Sequence, residues 1–340
     1  MLATPAAAQE DMLTARLSRH VTWDTNVFRL SDGAADPQLA RGITGKSDQI
    51  ATTTVGLSVD KAYSLQQFRF NVSQVATRHD KFSTLDRDAF NYTALWQWQL
   101  TPRISGALSA DRAESAISFL DTQDLQRNVA VTVNRNATVD GWLFGGWHLL
   151  AGISETRRES TGTFVASPSN TQTNGEFGLR YIAASRSSVT ATRRLRNGVN
   201  TGQAVDLVNF IDSAFKVTES ELNAAWIVSG KSTLNGRLTR IERRHKHVPQ
   251  RDFSVVAGEL GYVWAPTGRL SVSVSALRAV APFTPSTSIS YRIDDTLAFA
   301  PAWRVTDKTT LRMRAYRQVS DFAGAVVPVA GSPRRDMPPN

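Results

Sequence analysis

Alternation of apolar and polar residues with a period of two dominates the chain, whereas helical periodicity is weak. The segment NVAVTVN places Val129, Val131 and Val133 on one face of a strand, opposite smaller or polar residues. The segments FGLRYIA, STLNGRL, RLSVSVSA and TLRMRAY repeat the pattern, with Ser, Asn or Arg on the second face. The pattern predicts an all-β protein whose strands have one apolar and one polar face.

The predicted strands are long and are joined alternately by short turns and by longer polar links. Many run for about ten to fifteen residues, whereas strands of soluble sheets average about five or six. Short turns are predicted near Lys61, Thr101, Phe144, Ser185, Ser229, Pro266 and Thr306. Longer links are predicted at residues 31–46, 160–173 and 197–212. This asymmetry is typical of outer-membrane barrels, which have short periplasmic turns and long external loops.

The strand count supports a transmembrane antiparallel up-and-down β-barrel over residues 9–321. A first strand over residues 13–28 is followed by seven hairpins that end near Val319, which gives 15 strands. Bacterial barrels normally have an even number of strands. We therefore expect 16 or 18 strands in the intact parent protein.

Both ends of the chain differ from the barrel pattern. Ala6, Ala7 and Ala8 before Gln9 resemble a signal-peptide cleavage site, so residues 1–8 are interpreted as a signal-peptide remnant. An ordinary Ala-rich flexible terminus is the alternative. Residues 322–340 are predicted to be an irregular tail, because they carry Pro328, Pro333, Pro338 and Pro339 and lack a final aromatic strand. A truncated or frameshifted C-terminus would explain this tail, and so would a partly degenerate gene product.

Six tryptophans stand close to the predicted short turns. Tryptophan favours the interface between a bilayer and water, where its ring meets the lipid headgroups. In a soluble β-sandwich, core tryptophans would instead lie near the strand centres. The recurrence predicts a membrane-interface girdle at the periplasmic rim, in contact with outer-membrane lipid, formed by Trp96, Trp98, Trp147, Trp226, Trp264 and Trp303.

The charge balance is basic, with 39 Lys and Arg against 30 Asp and Glu. The arginines form no tract and no aromatic platform, so nucleic-acid binding is not predicted. Strand parity places one group on the polar face, which in a barrel is the lumen: Arg69, Arg180, Arg194, Arg196, Arg237, Arg292, Arg312 and Arg314. Such a lumen would attract an anionic polysaccharide, because guanidinium groups pair with carboxylates. Alternatively, these arginines are solvated or paired with acidic residues such as Glu259 and Asp294.

No catalytic or metal-binding pattern stands out. The G-x-S-x-G, H-E-x-x-H and phosphate-loop motifs are absent from the sequence. His245 and His247 have a spacing that could hold a metal, but a solvated charged rim is the favoured interpretation. We therefore predict no enzyme activity, no cofactor and no metal. The absence of cysteine agrees with export through an oxidising periplasm.

An ordered set of segments resembles a known family. The set comprises DTNVFRL, SDQI, GLSVDKAYSLQQFRFN, FNYTALWQWQLTPRISGALS, SFLDTQDLQRN and GGWHLLAGIS. Together they resemble the EpsL-type outer-membrane β-barrel proteins that are encoded with exosortase-linked exopolysaccharide clusters in Gram-negative bacteria. The resemblance is close over residues 24–158 and looser beyond. Asp24, Asn26, Phe28 and Arg29 match the early family motif.

The resemblance implies an outer-membrane location and a part in exopolysaccharide biosynthesis or export. It implies partners among the periplasmic polysaccharide-export components. The leading hypothesis is a passive pore through which the polymer crosses the outer membrane. A general diffusion porin that prefers anions is the second hypothesis. The third is a non-conducting structural barrel that docks the periplasmic synthesis machinery.

Overall fold

Long antiparallel strands form nearly all of the computed structural model, which describes residues 12–31, 33–35, 37, 44–117, 119, 127–161, 169–282, 289–325 and 335–336. The strands are β1 (Met12–Asp24), β2 (Asp48–Tyr63), β3 (Gln66–His79), β4 (Arg87–Thr101), β5 (Ile104–Ala116), β6 (Val129–Phe144), β7 (Trp147–Ser160), β8 (Ser169–Ile182), β9 (Ser188–Thr201), β10 (Ala214–Ser229), β11 (Ser232–His245), β12 (Phe253–Thr267), β13 (Leu270–Pro282), β14 (Ile289–Arg304), β15 (Thr310–Arg312), β16 (Ala315–Ala325) and β17 (Arg335–Asp336). Two single-turn 3₁₀ helices cover Ser83–Leu85 and Pro249–Arg251. Among the described residues, fifteen strands have 11–16 residues, which agrees with the predicted number of long strands.

The chain divides into two compact units, and each has the same up-and-down topology. The first unit comprises Met1–Val139 with Ser154–Thr171, and the second comprises Asp140–Ile153 with Gln172–Asn340. In the first unit, β1 to β5 pair antiparallel in chain order. In the second, β9 to β14 pair in the same way, and β14 also pairs with β15 and β16. The predicted antiparallel up-and-down topology is confirmed.

All seven predicted short turns lie between consecutive paired strands. In the turn that links β4 to β5, the hydroxyl of Thr101 accepts hydrogen bonds from the backbone N–H groups of Arg103 and Ile104, both at 3.1 Å. Thr267 closes the turn between β12 and β13 in the same manner. A threonine at the end of the first strand therefore stabilises the tight reversal that the sequence predicts.

Strand registers separate an apolar face from a polar face. In the first unit, Val59, Phe70 and Ala94 form one row across β2, β3 and β4. In the second unit, Leu222 and Leu238 are paired on the same face. The large apolar side chains on this face are exposed, with Phe70 at 45 % and Leu238 at 56 %. Such an extended exposed apolar surface is unfavourable in water and favourable against lipid.

A small buried apolar cluster lies at the long-loop end of the first unit. Val27, Phe28, Phe82 and Leu85 form it, and Phe28 and Phe82 are at most 1 % exposed. The rings of Phe28 and Phe82 pack edge to face with their centroids 4.9 Å apart. This cluster fastens the β1–β2 loop to the 3₁₀ helix that follows β3.

The structure corrects several predicted strand ends. The first strand ends at Asp24 and not at Phe28, because the following residues form a hydrogen-bonded turn. The predicted links at residues 160–173 and 197–212 are shorter, since β8 begins at Ser169 and β9 extends to Thr201.

The C-terminal boundary is also different from the prediction. Strand β16 continues to Ala325, beyond the predicted boundary at residue 321, and β17 within the predicted tail pairs with β16. The last long strand is interrupted between β15 and β16, opposite Pro301, which has no backbone N–H to donate. There Met313 donates its N–H to the Pro301 carbonyl at 3.1 Å. The predicted signal-peptide remnant at residues 1–8 lies outside the described residues, as do residues 326–334 and 337–340 of the tail.

The substitution Phe28→Ala should loosen the β1–β2 loop, because it removes a buried ring from the small core. Substitutions of this kind cost about 3 kcal/mol in well-packed sites. We expect faster cleavage within the loop when the protein is treated with protease in detergent micelles. Phe70→Ala removes the same atoms from the exposed apolar face and should leave the cleavage rate of this loop unchanged. Equal cleavage rates for the two variants would contradict this account of the core.

Candidate functional site

The polar face of the strands carries arginines that are paired with carboxylates. Arg69 of β3 donates from Nε to the Asp60 carboxylate of β2 at 3.0 Å. Arg194 of β9 lies between two carboxylates, at 3.0 Å from Glu176 and 2.8 Å from Glu219. These pairs join neighbouring strands, so the charges on this face also fix the side-chain positions across the sheet.

Four further predicted arginines are also paired with carboxylates, of the same strand, a neighbouring strand or the next strand but one. Arg196 contacts Glu219 at 3.3 Å, and Arg180 contacts Asp140, which also binds His148 at 2.7 Å. The remaining two pairs are Arg237–Glu259 at 3.0 Å and Arg292–Asp294 at 2.9 Å. The alternative that these arginines pair with acidic neighbours, including Glu259 and Asp294, is therefore confirmed for six of the eight.

Arg312 and Arg314 differ from the other six. Both are exposed, and neither forms an ion pair with any carboxylate in the part of the chain that the structure describes. The Arg314 guanidinium lies 5.7 Å from the centre of the Tyr316 ring. The polar face thus combines paired rows, which offer both donors and acceptors, with two exposed cations near the end of the last strand.

The six predicted girdle tryptophans all lie on the apolar face, close to the short turns. Trp226, Trp264 and Trp303 are about half exposed, and Trp96 and Trp147 are also exposed. Trp96 stacks on Phe68 and donates its ring N–H to Gln66 at 2.8 Å. Trp98 is half-buried because its ring lies over Gly106, where a side chain would clash with it. The apolar body and bonded ring nitrogen of Trp96 suit a boundary between lipid and water.

The early family motif forms a self-contained turn after β1. The Asp24 carboxylate accepts two hydrogen bonds from the Arg29 guanidinium, at 2.8 and 2.7 Å, and one from the Asn26 N–H at 2.9 Å. Asn26 bonds both the N–H and the carbonyl of Leu30 through its side-chain amide. Arg29 has a φ of 56°, a left-handed conformation that non-glycine residues rarely adopt, and its bonds to Asp24 stabilise it. These bonds also raise the pKa of Arg29.

This turn explains the residue types of the motif. The Asp24 carboxylate binds the Arg29 guanidinium and the Asn26 backbone, the Asn26 side chain binds the Leu30 backbone, and the turn directs Phe28 into the small apolar core. The motif therefore has a structural role at the long-loop end of the first unit.

The structure shows an internal repeat that the sequence interpretation missed. Strands β11, β12 and β13 have the same bounds as β3, β4 and β5 at an offset of 166 positions, as Ser232 against Gln66 shows. The 3₁₀ helices Ser83–Leu85 and Pro249–Arg251 follow the same offset. A comparison of the sequence with itself could have detected it, since TPRISGALSADR from Thr101 matches TGRLSVSVSALR from Thr267 at six of twelve positions.

Each copy of the repeat holds its loop with a histidine and an aspartate. In the first copy, Asp86 accepts a hydrogen bond from the backbone N–H of His79 at 2.7 Å and contacts the imidazole at 3.3 Å. In the second copy, Asp252 binds His245 in the same way, at 2.6 and 3.3 Å. The His-x6-Asp spacing is thus a structural signature of this loop.

A second aspartate in each copy binds the backbone of the same loop. Asp48 accepts hydrogen bonds from the N–H groups of Lys81 and Phe82, both at 3.0 Å. Asp212 accepts from the N–H groups of His247 and Val248, at 2.6 and 3.1 Å.

The two histidines whose spacing could hold a metal are each paired with one of these carboxylates. The His247 imidazole lies 2.9 Å from Asp212, and the His245 imidazole lies 3.3 Å from Asp252. Each ring therefore has its own partner, and the two do not converge on one point.

Ion pairs also occur on the apolar face, toward the longer loops. Arg78–Asp88 and Arg278–Asp295 both have a separation of 2.7 Å. The further pairs are Arg112–Glu114, Arg135–Glu155, Arg157–Glu159 and Arg240–Glu242. They lie closer to the loops than the exposed large apolar side chains of the same strands, so they mark an edge of the apolar band.

The Asp212 carboxylate should make stability depend on pH. Burial opposes its ionisation, but hydrogen bonds from His247, Ala214 and Val248 outweigh burial and lower the pKa of Asp212 to about 2, from an ordinary value near 3.8. Because the folded pKa is depressed, the stabilisation is present above pH 4 and is lost as the pH falls toward 2; it amounts to about 2 kcal/mol.

The variant Asp212→Asn tests this dependence. At pH 6 it should unfold at a lower urea concentration than the wild type, and near pH 2 this difference should shrink. Asp307→Asn, in an exposed turn, should unfold at the same urea concentration as the wild type at pH 6. If Asp212→Asn and the wild type differed in unfolding urea concentration by the same amount at both pH values, the ionised carboxylate would be ruled out as the cause.

Among the described residues, no helix has the length and apolar character to cross a membrane. A comparison with protein-family models gives no match, and neither does a comparison with curated proteins. The fold, in contrast, is similar to that of several solved structures.

Three of these structures are bacterial receptors. A variant of the ferric enterobactin receptor PfeA of Pseudomonas aeruginosa is 9 % identical, with 93 % of this chain and 54 % of that chain covered and a TM-score of 0.56. The siderophore receptor PirA of Acinetobacter baumannii is 10 % identical, with coverages of 91 % and 52 % and a TM-score of 0.54. The alcaligin outer membrane receptor FauA of Bordetella pertussis is 10 % identical, with coverages of 92 % and 52 % and a TM-score of 0.52.

The chain spans about half the length of the solved structures that it matches. At this low identity the likeness shows the fold alone. The predicted all-β antiparallel up-and-down fold is confirmed, and it is similar to the barrel fold of these receptors; an outer-membrane location agrees with this fold and with the exposed apolar face.

Proposed function

We propose that this chain takes part in exopolysaccharide biosynthesis or export as a passive outer-membrane pore for the polymer. The observation that carries the proposal is the set of paired arginines and carboxylates on the polar face. In a barrel this face lines the lumen, and its alternating donors and acceptors can replace part of the hydration of a polyhydroxylated chain. The sequence resemblance to EpsL-type proteins supports the same function.

Pairing favours transport over tight binding. A guanidinium that already bonds a carboxylate, such as Arg237 with Glu259, offers its remaining N–H groups to sugar hydroxyls without a strong net attraction. Weak contacts of this kind let a polymer move from one site to the next. Arg312 and Arg314, which are exposed, add an attraction for acidic sugars. No catalytic residue is needed for this passive role.

Two alternatives remain distinguishable by experiment. An anion-preferring diffusion porin would pass small anions whether or not the polymer is present. A non-conducting barrel that docks the periplasmic synthesis machinery would be needed for polymer synthesis while carrying no current. The periplasmic export components would be partners in the first and third cases.

The proposed function is tested by secretion from a strain that lacks the gene. We expect the deletion to abolish secreted polymer and to leave polymer in the periplasm. The double variant Arg312→Gln with Arg314→Gln should restore secretion only in part, because two exposed cations of the polar face are lost. The double variant Arg69→Gln with Asp60→Asn removes one cation and one anion together. It is the matched control and should restore most of the secretion.

Three outcomes would contradict the proposal. Normal secretion by the deletion strain would exclude any role in export. Absence of polymer from both the periplasm and the medium would favour the docking barrel. In planar bilayers, a current of small anions that the polymer does not block would favour the diffusion porin.

A further inference from the structure

The two copies of the internal repeat provide a comparison within one chain. Both hold their loop with the same framework, an aspartate that binds backbone N–H groups and a histidine paired with a second aspartate. The first copy has Thr77 and Leu85 at the positions where the second copy has Arg243 and Arg251. The first copy forms the same framework with Thr77 and Leu85 at these two positions, so the framework does not require an arginine at either of them.

Arg243 lies on the polar face at the end of β11, among other cations. Its register partner on β10 is Val217, which also pairs with Arg196 on β9, so the three residues form one row. Arg196 and Arg251 are close enough for their charges to act on Arg243, and the negative charge of Asp212 acts on it in the opposite direction. The guanidinium of Arg243 lies 3.7 Å from the centre of the Phe215 ring and is half-buried.

The side chain of Arg243 retains unused hydrogen-bond donors. Its Nε donates to the imidazole of His245 at 3.3 Å. Within the described ranges, no carboxylate lies within ion-pair distance of Arg243, and no group accepts a hydrogen bond from its two terminal nitrogens. A half-buried guanidinium without a carboxylate is costly, and a ligand carboxylate that bound it with two parallel hydrogen bonds would relieve that cost.

The carboxylates closest to this group in the chain are already committed to the loop framework. Asp212 is almost fully buried and accepts hydrogen bonds from Ala214, His247 and Val248. Asp252 is bound to the backbone and imidazole of His245. Neither therefore serves as a partner for Arg243.

Arg251 holds the surroundings in place. Its side chain is 8 % exposed and donates to the carbonyls of Phe210 and Ile289, at 3.3 and 2.9 Å. It thereby connects the β9–β10 loop to the start of β14 and adds a buried positive charge near Arg243. In the first copy, the corresponding Leu85 packs into the apolar core instead.

We propose that Arg243, in the same row as Arg196 and beside the Phe215 ring, binds a carboxylate of an acidic polysaccharide. The substrate class is a polymer that contains uronic acid residues, and the site lies at the long-loop end of the polar face. Phe215 supports the guanidinium from one side and leaves its terminal N–H groups for the ligand. This assignment rests on the proposed function, because it specifies the polymer that the pore would carry.

Direct binding tests the site with the purified full chain in detergent micelles. The probes are a hexamer of galacturonate and a hexamer of maltose-type glucose, which has the same length and no charge, and titration calorimetry gives the affinities. We expect the acidic hexamer to bind and the neutral hexamer to bind at least tenfold more weakly. Removal of one charged hydrogen-bonding partner should lower the affinity for the acidic hexamer roughly tenfold.

The variants are chosen from the repeat itself. Arg243→Thr introduces the residue type of the first copy, and Arg243→Gln keeps a longer polar side chain without the charge. Both should weaken binding of the acidic hexamer while the protein keeps its folded migration on unheated gels. Arg278→Gln, on the apolar face, is the matched control and should bind like the wild type.

Unchanged affinity in folded Arg243→Thr and Arg243→Gln would overturn the site. Equal binding of the neutral and acidic hexamers would overturn the uronic acid class, as would displacement by inorganic phosphate at the same concentration as uronate groups. A different result is expected if the proposal of a polymer pore is itself wrong. In that case the deletion strain secretes normally, although the purified protein still binds the acidic hexamer.

Discussion

Backbone hydrogen bonding is the constraint on which the rest of this structure depends. In the hydrocarbon of a bilayer, no water is present to bond an exposed N–H or C=O group, so each strand must bond to its neighbours along its whole length. Long strands that follow each other in the chain and pair antiparallel satisfy this requirement with short turns. The interruption opposite Pro301 shows the constraint locally, because there the ladder continues only through the N–H of Met313.

A second consequence is the placement of apolar side chains. Most of the large ones lie on an exposed face, and fewer are buried, among them Phe28 and Phe82 in the first unit and Phe215 and Val248 in the second. Stability at the long-loop end therefore depends on polar contacts to an unusual degree. The Asp24–Arg29 turn and the aspartates of the two loops supply these contacts with buried or half-buried carboxylates that bind several N–H groups each.

Most of the predicted arginines on the polar face are paired with carboxylates, and only a minority carry unpaired positive charge. Six arginines predicted to attract anions are bonded to carboxylates, which reduces their net attraction and leaves a surface of donors and acceptors. Among the described residues, the arginines of this face that have no ion pair include Arg312, Arg314 and Arg243. Arg243 differs from the other two because the internal repeat provides a comparison. The first copy forms the same loop with Thr77 in place of Arg243 and Leu85 in place of Arg251. An arginine that the framework does not require is a candidate for binding.

The amino-acid sequence by itself determined the strands, the seven short turns and the face of each residue. These features depend on local alternation, on turn residues such as Thr101 and on the positions of tryptophans, all of which are properties of short segments. The exact strand ends were less predictable, because hydrogen bonds across the loops, such as those of Asp24 and Asp212, decide where pairing stops. The partners of the arginines were open for a related reason: parity gives the face of a side chain, but only the register between strands decides that Arg237 meets Glu259. Tertiary structure alone brought Arg196, Arg243 and Arg251 together, since they lie on two strands and a loop that become neighbours only in the folded sheet.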